Sequence, residues 1–233
     1  MRPSTLTPKV EQLLDELLQG MPIFSDAKEL ALHPILPTDF VLAQKYKNSF
    51  PQHALEGKGI IDGKVKFLLS PTCCYPIFHL LEGTSFHTDV LYTNKSNCFR
   101  NESECIEGVR QMTFRMREYV FFSSDLTAVH TWIASIKNDI PPALETLGIR
   151  VEIVKATDPF FNPRDFQQIL QSSEDLKSEF IHYGVSLASV NLHLKAFSRS
   201  CSLVDKHGKH IYTACFGLGY DRVAAVLRRA EVE

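Results

Sequence analysis

Cys98-Phe99-Arg100-Asn101-Glu102, a short polar loop, then Arg110-Gln111-Met112-Thr113-Phe114-Arg115-Met116-Arg117-Glu118, is the stretch on which the reading of this chain turns. It reads as a strand, a loop and a returning strand. Alternation along an extended chain puts Arg100 and Glu102 on one face. An arginine there can fork onto a phosphate or carboxylate, and the glutamate can accept from an amine or amide. Phe114, on the returning strand, offers a ring on which a purine can stack. Together these suit a nucleoside triphosphate such as ATP, although an ordinary charged hairpin would show the same residue types.

The C-terminal run Thr213-Ala214-Cys215-Phe216-Gly217-Leu218-Gly219-Tyr220-Asp221-Arg222 adds a second signal. It reads as an apolar strand that turns on two glycines and opens a helix from Val223 to Arg229. The glycines would let backbone approach a nucleotide closely, and Arg222 in the first helical turn would aim at the same phosphates. A plain strand-to-helix turn is the alternative. In this order, the two stretches resemble motifs 2 and 3 of class II aminoacyl-tRNA synthetases.

With 233 residues, the chain is long enough for one large domain or a domain with a small appendage. A hydrophobic content of 44% supports a sizeable core. The formal net charge of -2 gives no broad electrostatic footprint for nucleic acid. No apolar run approaches the roughly 18 residues of a membrane span. The N-terminus lacks the apolar stretch of a secretory signal, so the cytoplasm is the expected compartment. The six cysteines (73, 74, 98, 105, 201 and 215) form neither a regular framework nor a Cys-x-x-Cys pair, so neither a disulfide scaffold nor a common zinc finger is indicated.

Along the chain, Val10, Leu13, Leu14, Leu17 and Leu18 mark a helix over 8–19 that Gly20 stops. Residues 21–60 read as irregular with short helices, and 65–69 as a strand. Strands are expected at 97–102, 111–122, 151–155, 177–182, 186–194 and 209–215. Residues 125–147 read as two helical pieces broken at Pro141-Pro142, and 160–171 as a loop with a short helix. Strands in hairpins with helices elsewhere predict an α+β domain around a mostly antiparallel sheet flanked by helices.

A more specific resemblance rests on Ser49-Phe50-Pro51, Cys74-Tyr75-Pro76, the run Phe114 to Val120, Ala156-Thr157-Asp158-Pro159-Phe160-Phe161, Leu176-Lys177-x-Glu179 and Ser189-x-Asn191-x-His193. Over roughly residues 45–230 the chain resembles the amino acid:[carrier protein] ligases. These are similar to the catalytic core of the zinc-dependent seryl-tRNA synthetases of methanogenic archaea. The resemblance implies an N-terminal helical segment over 1–44 and a catalytic domain over 45–233. Motif 1, the dimer segment, is placed near 43–68, and a homodimer is expected by analogy.

The resemblance also implies site residues. ATP contacts would come from Arg100, Glu102, Arg110, Phe114 and Arg222, with Arg100 and Arg222 catalytic and Mg²⁺ sharing the charge. Zinc would sit on Cys74, Glu118 and Cys215, two thiolates and a carboxylate with one position open for a substrate amine, the pattern of a catalytic zinc. Other readings of these residues are small buried hydrophobes for the cysteines, a partner of Arg115 or Arg117 for Glu118, and Cys73 in place of Cys74. Lys177 and Glu179 are candidates for the substrate-pocket wall or solvated strand charges. Asn191 and His193 share a strand face and could meet substrate or magnesium-bound phosphate, or His193 could be a satisfied core histidine. Lys195 stands where an acidic residue is expected.

The implied activity is ATP-dependent formation of an aminoacyl-adenylate from a small amino acid. Transfer to the phosphopantetheine thiol of a carrier protein would follow. A short segment before the core, with no basic tail, disfavours tRNA as acceptor. A small-molecule amine or tRNA as acceptor, or a non-catalytic zinc-binding sensor of an amino acid, are the other readings.

Overall fold

The computed structural model describes residues 6–156 and 176–230. The expected loop and helix at 160–171, and the Asp158 to Phe161 segment, lie outside the described residues.

The helix read from the leucine stripe forms as α1, Pro8–Gln19. The Thr7 hydroxyl accepts from the Val10 amide, and Pro8 enters the first turn, where a missing N–H costs nothing. Residues 21–60 hold more order than the sequence predicts: β1 (Lys28–Leu30), β2 (Ile35–Leu36), α2 (Val41–Ser49) and β3 (Glu56–Lys58). Next come β4 (Val65–Leu69), α3 (Cys74–Leu80) and β5 (Ser85–Phe86). The expected hairpin is built from β6 (Val90–Phe99) and β7 (Thr113–Ser123). After α4 (Leu126–Glu145) follow β8 (Glu152–Lys155), β9 (Lys177–His182), β10 (Val185–Leu194) and α5 (Ala196–Ser200). The described chain closes with β11 (Val204–Asp205), β12 (Tyr212–Gly219) and α6 (Tyr220–Ala230).

Among the described residues, seven strands form one sheet in the order β1-β6-β7-β12-β10-β9-β8. Only β1 against β6 is parallel. Apolar side chains cover both faces. One face carries Leu14 and Leu18 of α1 and the α4 stripe Val129, Trp132, Ile136, Ile140 and Leu144, packed on Phe180, Val190, Ala214 and Phe216. The other carries Leu42, Ile77 and Phe78 of α2 and α3 over Val120, Phe122 and Cys215. This is the expected α+β architecture.

Four details depart from the sequence reading. α4 is a single helix that contains Pro141 and Pro142. The prolines remove the N–H groups that would meet the Lys137 and Asn138 carbonyls. The buried stripe on both sides of them nevertheless keeps the axis continuous. β6 begins at Val90, not near 97, because its pairing with β7 runs from Val90↔Phe122 to Phe99↔Thr113. The strand ends at Phe99, with one further backbone bond from the Arg100 amide to the Met112 carbonyl at 3.0 Å, so Arg100 and Glu102 lie past the strand rather than on one strand face. β12 runs through both glycines to Gly219, and α6 starts at Tyr220 without a glycine turn.

Within the N-terminal segment, α1 and β1 join the large sheet and its core. β1 pairs with β6, and α1 is tied to β7 by charge. Arg117, 1% exposed, lies 3.0 Å from Asp15 and 2.9 Å from Glu29. Tyr220 donates to Asp15 at 2.7 Å, Arg115 meets Glu11 at 3.2 Å, and Lys95 pairs with both Glu11 and Asp15. Burial works against the ionised carboxylate of Asp15, but the hydrogen bonds from Lys95 and Tyr220 and the Arg117 charge outweigh it and lower its pKa. No helix of the described residues is long and apolar enough to cross a membrane.

A buried charge left without its partner is costly. Arg117→Met is expected to lower the free energy of unfolding by about 3 kcal/mol in urea titrations. Arg117→Met with Asp15→Leu should lose less than the sum of the two single changes.

Candidate functional site

The site is an arithmetic consequence of sheet register. On β7, Phe114, Met116, Glu118, Val120 and Phe122 point away from α1, while Arg115 and Arg117 point towards it. β12 aligns Gly217 with Glu118 and Cys215 with Val120. β10 aligns Ser189 with Gly217 and Asn191 with Cys215. β9 then aligns Glu179 with Ser189 and Lys177 with Asn191. Two neighbouring transverse rows result, Glu118-Gly217-Ser189-Glu179 and Val120-Cys215-Asn191-Lys177, on the same face. Above them lies an open cleft whose lining includes all twelve predicted residues: Cys74, Arg100, Glu102, Arg110, Phe114, Glu118, Lys177, Glu179, Asn191, His193, Cys215 and Arg222.

One end of the cleft is a metal-type cluster. The ligand atoms of Cys74, Glu118 and Cys215 lie within 4.8 Å of one another, and all three residues are buried. Cys74 opens α3, whose start is held by Asn94 donating to the Cys73 carbonyl at 3.1 Å and by Ser70 donating to the Thr72 carbonyl at 2.7 Å. Cys73 faces the other way, with its sulfur 3.5 Å from that of Cys98, so Cys74 is the cysteine that reaches the cleft. Glu118 forms no ion pair with Arg115 or Arg117, whose side chains are engaged on the opposite face with Glu11, Asp15 and Glu29. One of its carboxylate oxygens, Oε2, is buried and has no hydrogen-bond partner. Burial, then the Cys215 charge, pushes its pKa up to about 8. Burial also pushes the Cys74 thiol up, whereas a hydrogen bond from Cys74 draws the Cys215 thiol down. A buried donor set of two sulfurs and one orphaned carboxylate oxygen suits a sulfur-preferring divalent cation, which would satisfy that oxygen.

Gly217 is part of this geometry for a reason the sequence did not reveal. A Cβ there would sit 3.0 Å from Glu118 Cγ, 3.3 Å from its Oε1 and 3.2 Å from the Met116 methyl. Its missing side chain makes room for the carboxylate, not for a turn. Gly219 has only ordinary contacts, none under 3.5 Å.

The other end is cationic. Arg100 donates through Nε to the Pro71 carbonyl at 3.2 Å, and its guanidinium lies 5.0 Å from the centroid of the Phe114 ring. Arg222 donates to the carbonyls of Val109 at 2.8 Å and Ser186 at 2.7 Å, fixing its guanidinium between the loop and β10. Burial, then the nearby Arg100 charge, holds its pKa below the usual arginine value. Arg110 and Glu102 face each other at 3.8 Å across the loop. Lys177 and Glu179 form a 3.0 Å ion pair in the cleft wall, not solvated strand charges.

Asn191 and His193 are brought to the sulfur end. Asn191 Nδ2 is 3.5 Å from Cys215 Sγ; His193 Nδ1 is 3.0 Å from the Thr213 hydroxyl, and its ring stacks on Phe197. Lys195 turns away, its ammonium 4.4 Å from the centroid of the Tyr212 ring, and is not part of the lining. Two residues that the motifs did not single out also matter. Thr72 reaches Cys74 Sγ at 3.2 Å, and Asp221 accepts from the Arg115 amide, clamping α6 to β7. The local signal for Thr72 was only a hydroxyl residue two positions before a cysteine.

No known protein family matches the sequence. No curated protein matches it either. Solved structures do match. The seryl-tRNA synthetase of M. kandleri, solved with A. aeolicus tRNASec, superposes with a TM-score of 0.81 at 17% identity, covering 97% of this chain and 52% of that one. The fold is that of a class II aminoacyl-tRNA synthetase. The prolyl-tRNA synthetase of Cryptosporidium parvum, solved with halofuginone and AMPPNP, matches at a TM-score of 0.73 and 12% identity over 97% of this chain and 46% of that one. The cytoplasmic serine-tRNA ligase of Naegleria fowleri, in complex with AMP, matches at 0.72 and 15% over 93% and 52%. The chain thus spans about half the length of these class II structures. The expectation that tRNA is disfavoured is not borne out, since a neighbour of this fold was solved with a tRNA.

Gly217→Ala is expected to displace the Glu118 carboxylate while leaving the sheet intact. It should weaken metal uptake about 10-fold or more, read by competition with a chromophoric chelator, with the circular dichroism spectrum unchanged.

Proposed function

We propose that this chain is an ATP-dependent ligase that activates an amino acid as its aminoacyl-adenylate. One observation carries the reading: a single cleft joins a buried Cys74-Glu118-Cys215 cluster to a fixed pair of arginines. An amino acid has an amine at one end and a carboxylate at the other, and the cleft offers a match for each. Cys74, Glu118 and Cys215 would hold zinc, which, when bound, supplies a Lewis-acid position for the α-amine. Arg100 neutralises the substrate carboxylate and the α-phosphate as they approach. Phe114 stacks on the adenine, Glu102 accepts from its amine, and Arg110 flanks the nucleotide. Arg222, immobilised by two carbonyls, holds the γ-phosphate, with Mg²⁺ sharing the charge. A carboxylate oxygen attacks the α-phosphorus and the bond to pyrophosphate breaks. Positioning and fixed charge supply the acceleration. Lys177 and Glu179 form the pocket wall, and Asn191 and His193 border the amine end.

Resemblance to the amino acid:[carrier protein] ligases supports a small amino acid as substrate and a carrier-protein phosphopantetheine thiol as acceptor. The thiol sulfur attacks the adenylate carbonyl and AMP leaves. A homodimer belongs to the same reading. A tRNA acceptor is the second reading, favoured by the tRNA in the M. kandleri neighbour.

The test is amino-acid-dependent ATP–pyrophosphate exchange. Exchange with one or a few small amino acids is expected, lost after chelation or in Cys215→Ala, and restored by zinc in the wild type alone. Arg222→Ala should lower the exchange rate about 100-fold. Incubation with a phosphopantetheinylated carrier and with tRNA then separates the acceptors by mass. No exchange from folded, zinc-loaded protein would sink the ligase.

A further inference from the structure

Each sulfur of the buried cluster has its own polar neighbour from outside the cluster. The Thr72 hydroxyl lies 3.2 Å from Cys74 Sγ. The Asn191 amide Nδ2 lies 3.5 Å from Cys215 Sγ. Neither contact is incidental to the fold. Ser70, fully buried, donates to the Thr72 carbonyl at 2.7 Å and fixes the residue that carries the hydroxyl. Asn191 and Cys215 are direct register partners across β10 and β12, so the sheet itself sets the amide against the sulfur. A thiolate on a metal has no proton to give, so with a metal bound the sulfur would be the acceptor in both contacts. The Asn191 amide has only donors on its nitrogen, which agrees.

We propose that Thr72 and Asn191 are positioning residues that hold the two sulfurs by O–H···S and N–H···S hydrogen bonds, and so set how tightly the cluster binds its metal and how much charge the sulfurs donate to it. This rests on the reading of Cys74, Glu118 and Cys215 as a metal site. The physical logic has two parts. Each hydrogen bond fixes a sulfur before the ion arrives, which removes an ordering cost from binding. Each also withdraws electron density from sulfur, leaving the ion a stronger acceptor for an amine. Glu118 is oriented differently. Its register partner Gly217 leaves room for the carboxylate, and Oε2 stands without a partner. All three ligands are thus aimed by neighbours, and two of those neighbours are side chains that can be changed without touching a ligand.

The experiment uses the full chain with cobalt(II) and zinc as probes. Wild type, Thr72→Val, Thr72→Ser and Asn191→Leu are compared by cobalt(II) absorption and by zinc competition with a chromophoric chelator. Thr72→Val keeps the shape and loses the hydroxyl; Thr72→Ser keeps the hydroxyl. Zinc affinity is expected to fall about 10-fold or more in Thr72→Val and in Asn191→Leu, with Thr72→Ser close to wild type. The sulfur-to-cobalt charge-transfer band should move to lower energy in the two weakened variants, because an unbonded sulfur gives up its electrons more easily. A packing defect alone would not shift the band and would not be rescued by serine. Wild-type affinity and an unshifted band in both Thr72→Val and Asn191→Leu would overturn the inference and leave the ligase reading standing. A wild-type protein that takes up neither cobalt nor zinc would overturn the metal reading, and this inference with it.

Discussion

Arg117 and Glu118 are neighbours on β7, and a sheet covered on both faces must bury both. Consecutive side chains on a strand point to opposite faces, so the two charges cannot neutralise each other. Each needs its own solution. Arg117 receives Asp15 and Glu29 from the N-terminal segment. Glu118 receives two cysteines and is left with an orphaned oxygen. The two solutions differ in kind: the first is closed by protein carboxylates, and the second leaves an oxygen that a cation would satisfy. That asymmetry separates the closed face from the one that carries the cleft.

The same register explains why so few side chains define the cleft. Glu118, Gly217, Ser189 and Glu179 stand in one transverse row, and Cys215, Asn191 and Lys177 in the next. A glycine opposite the carboxylate, an amide opposite the thiol and an ion pair at the far strand are therefore consequences of strand alignment. Rigid neighbours hold what loops would hold poorly. Even the arginine of α6 is fixed by carbonyls of the loop and of β10.

Much of this was legible in the residues. The strands at 177–182 and 186–194, the first and last helices, and the residues that gather in the cleft carry local patterns of alternation, stripe or motif. What was not legible depended on distant partners. Pro141 and Pro142 look like a break because their local cost is visible and the burial of Ile136, Ile140 and Leu144 is not. Lys28–Leu30 shows no strand signal because it is an edge strand of three residues whose place is set by β6. Cys73 and Cys74 look equivalent in sequence. They separate only when the start of α3 is pinned by Asn94 and Ser70. Gly217 reads as backbone freedom, yet its role is steric room for a side chain nearly a hundred positions earlier, as the ~100-residue gap to Glu118 shows.

The place of β12 in the sheet has a consequence for how the protein is made. It is the last strand of the described chain, yet it lies in the middle of the sheet, between β7 and β10. Synthesis from the N-terminus produces β1, β6 and β7 first and β8, β9 and β10 later, as two partial sheets with an unpaired edge each. Neither can join the other until residues 212–219 emerge. Until then the β7 edge is open to other strands. Cys74 and Glu118 cannot meet Cys215 before the two partial sheets are zipped together. Assembly of the cleft and closure of the fold are one event.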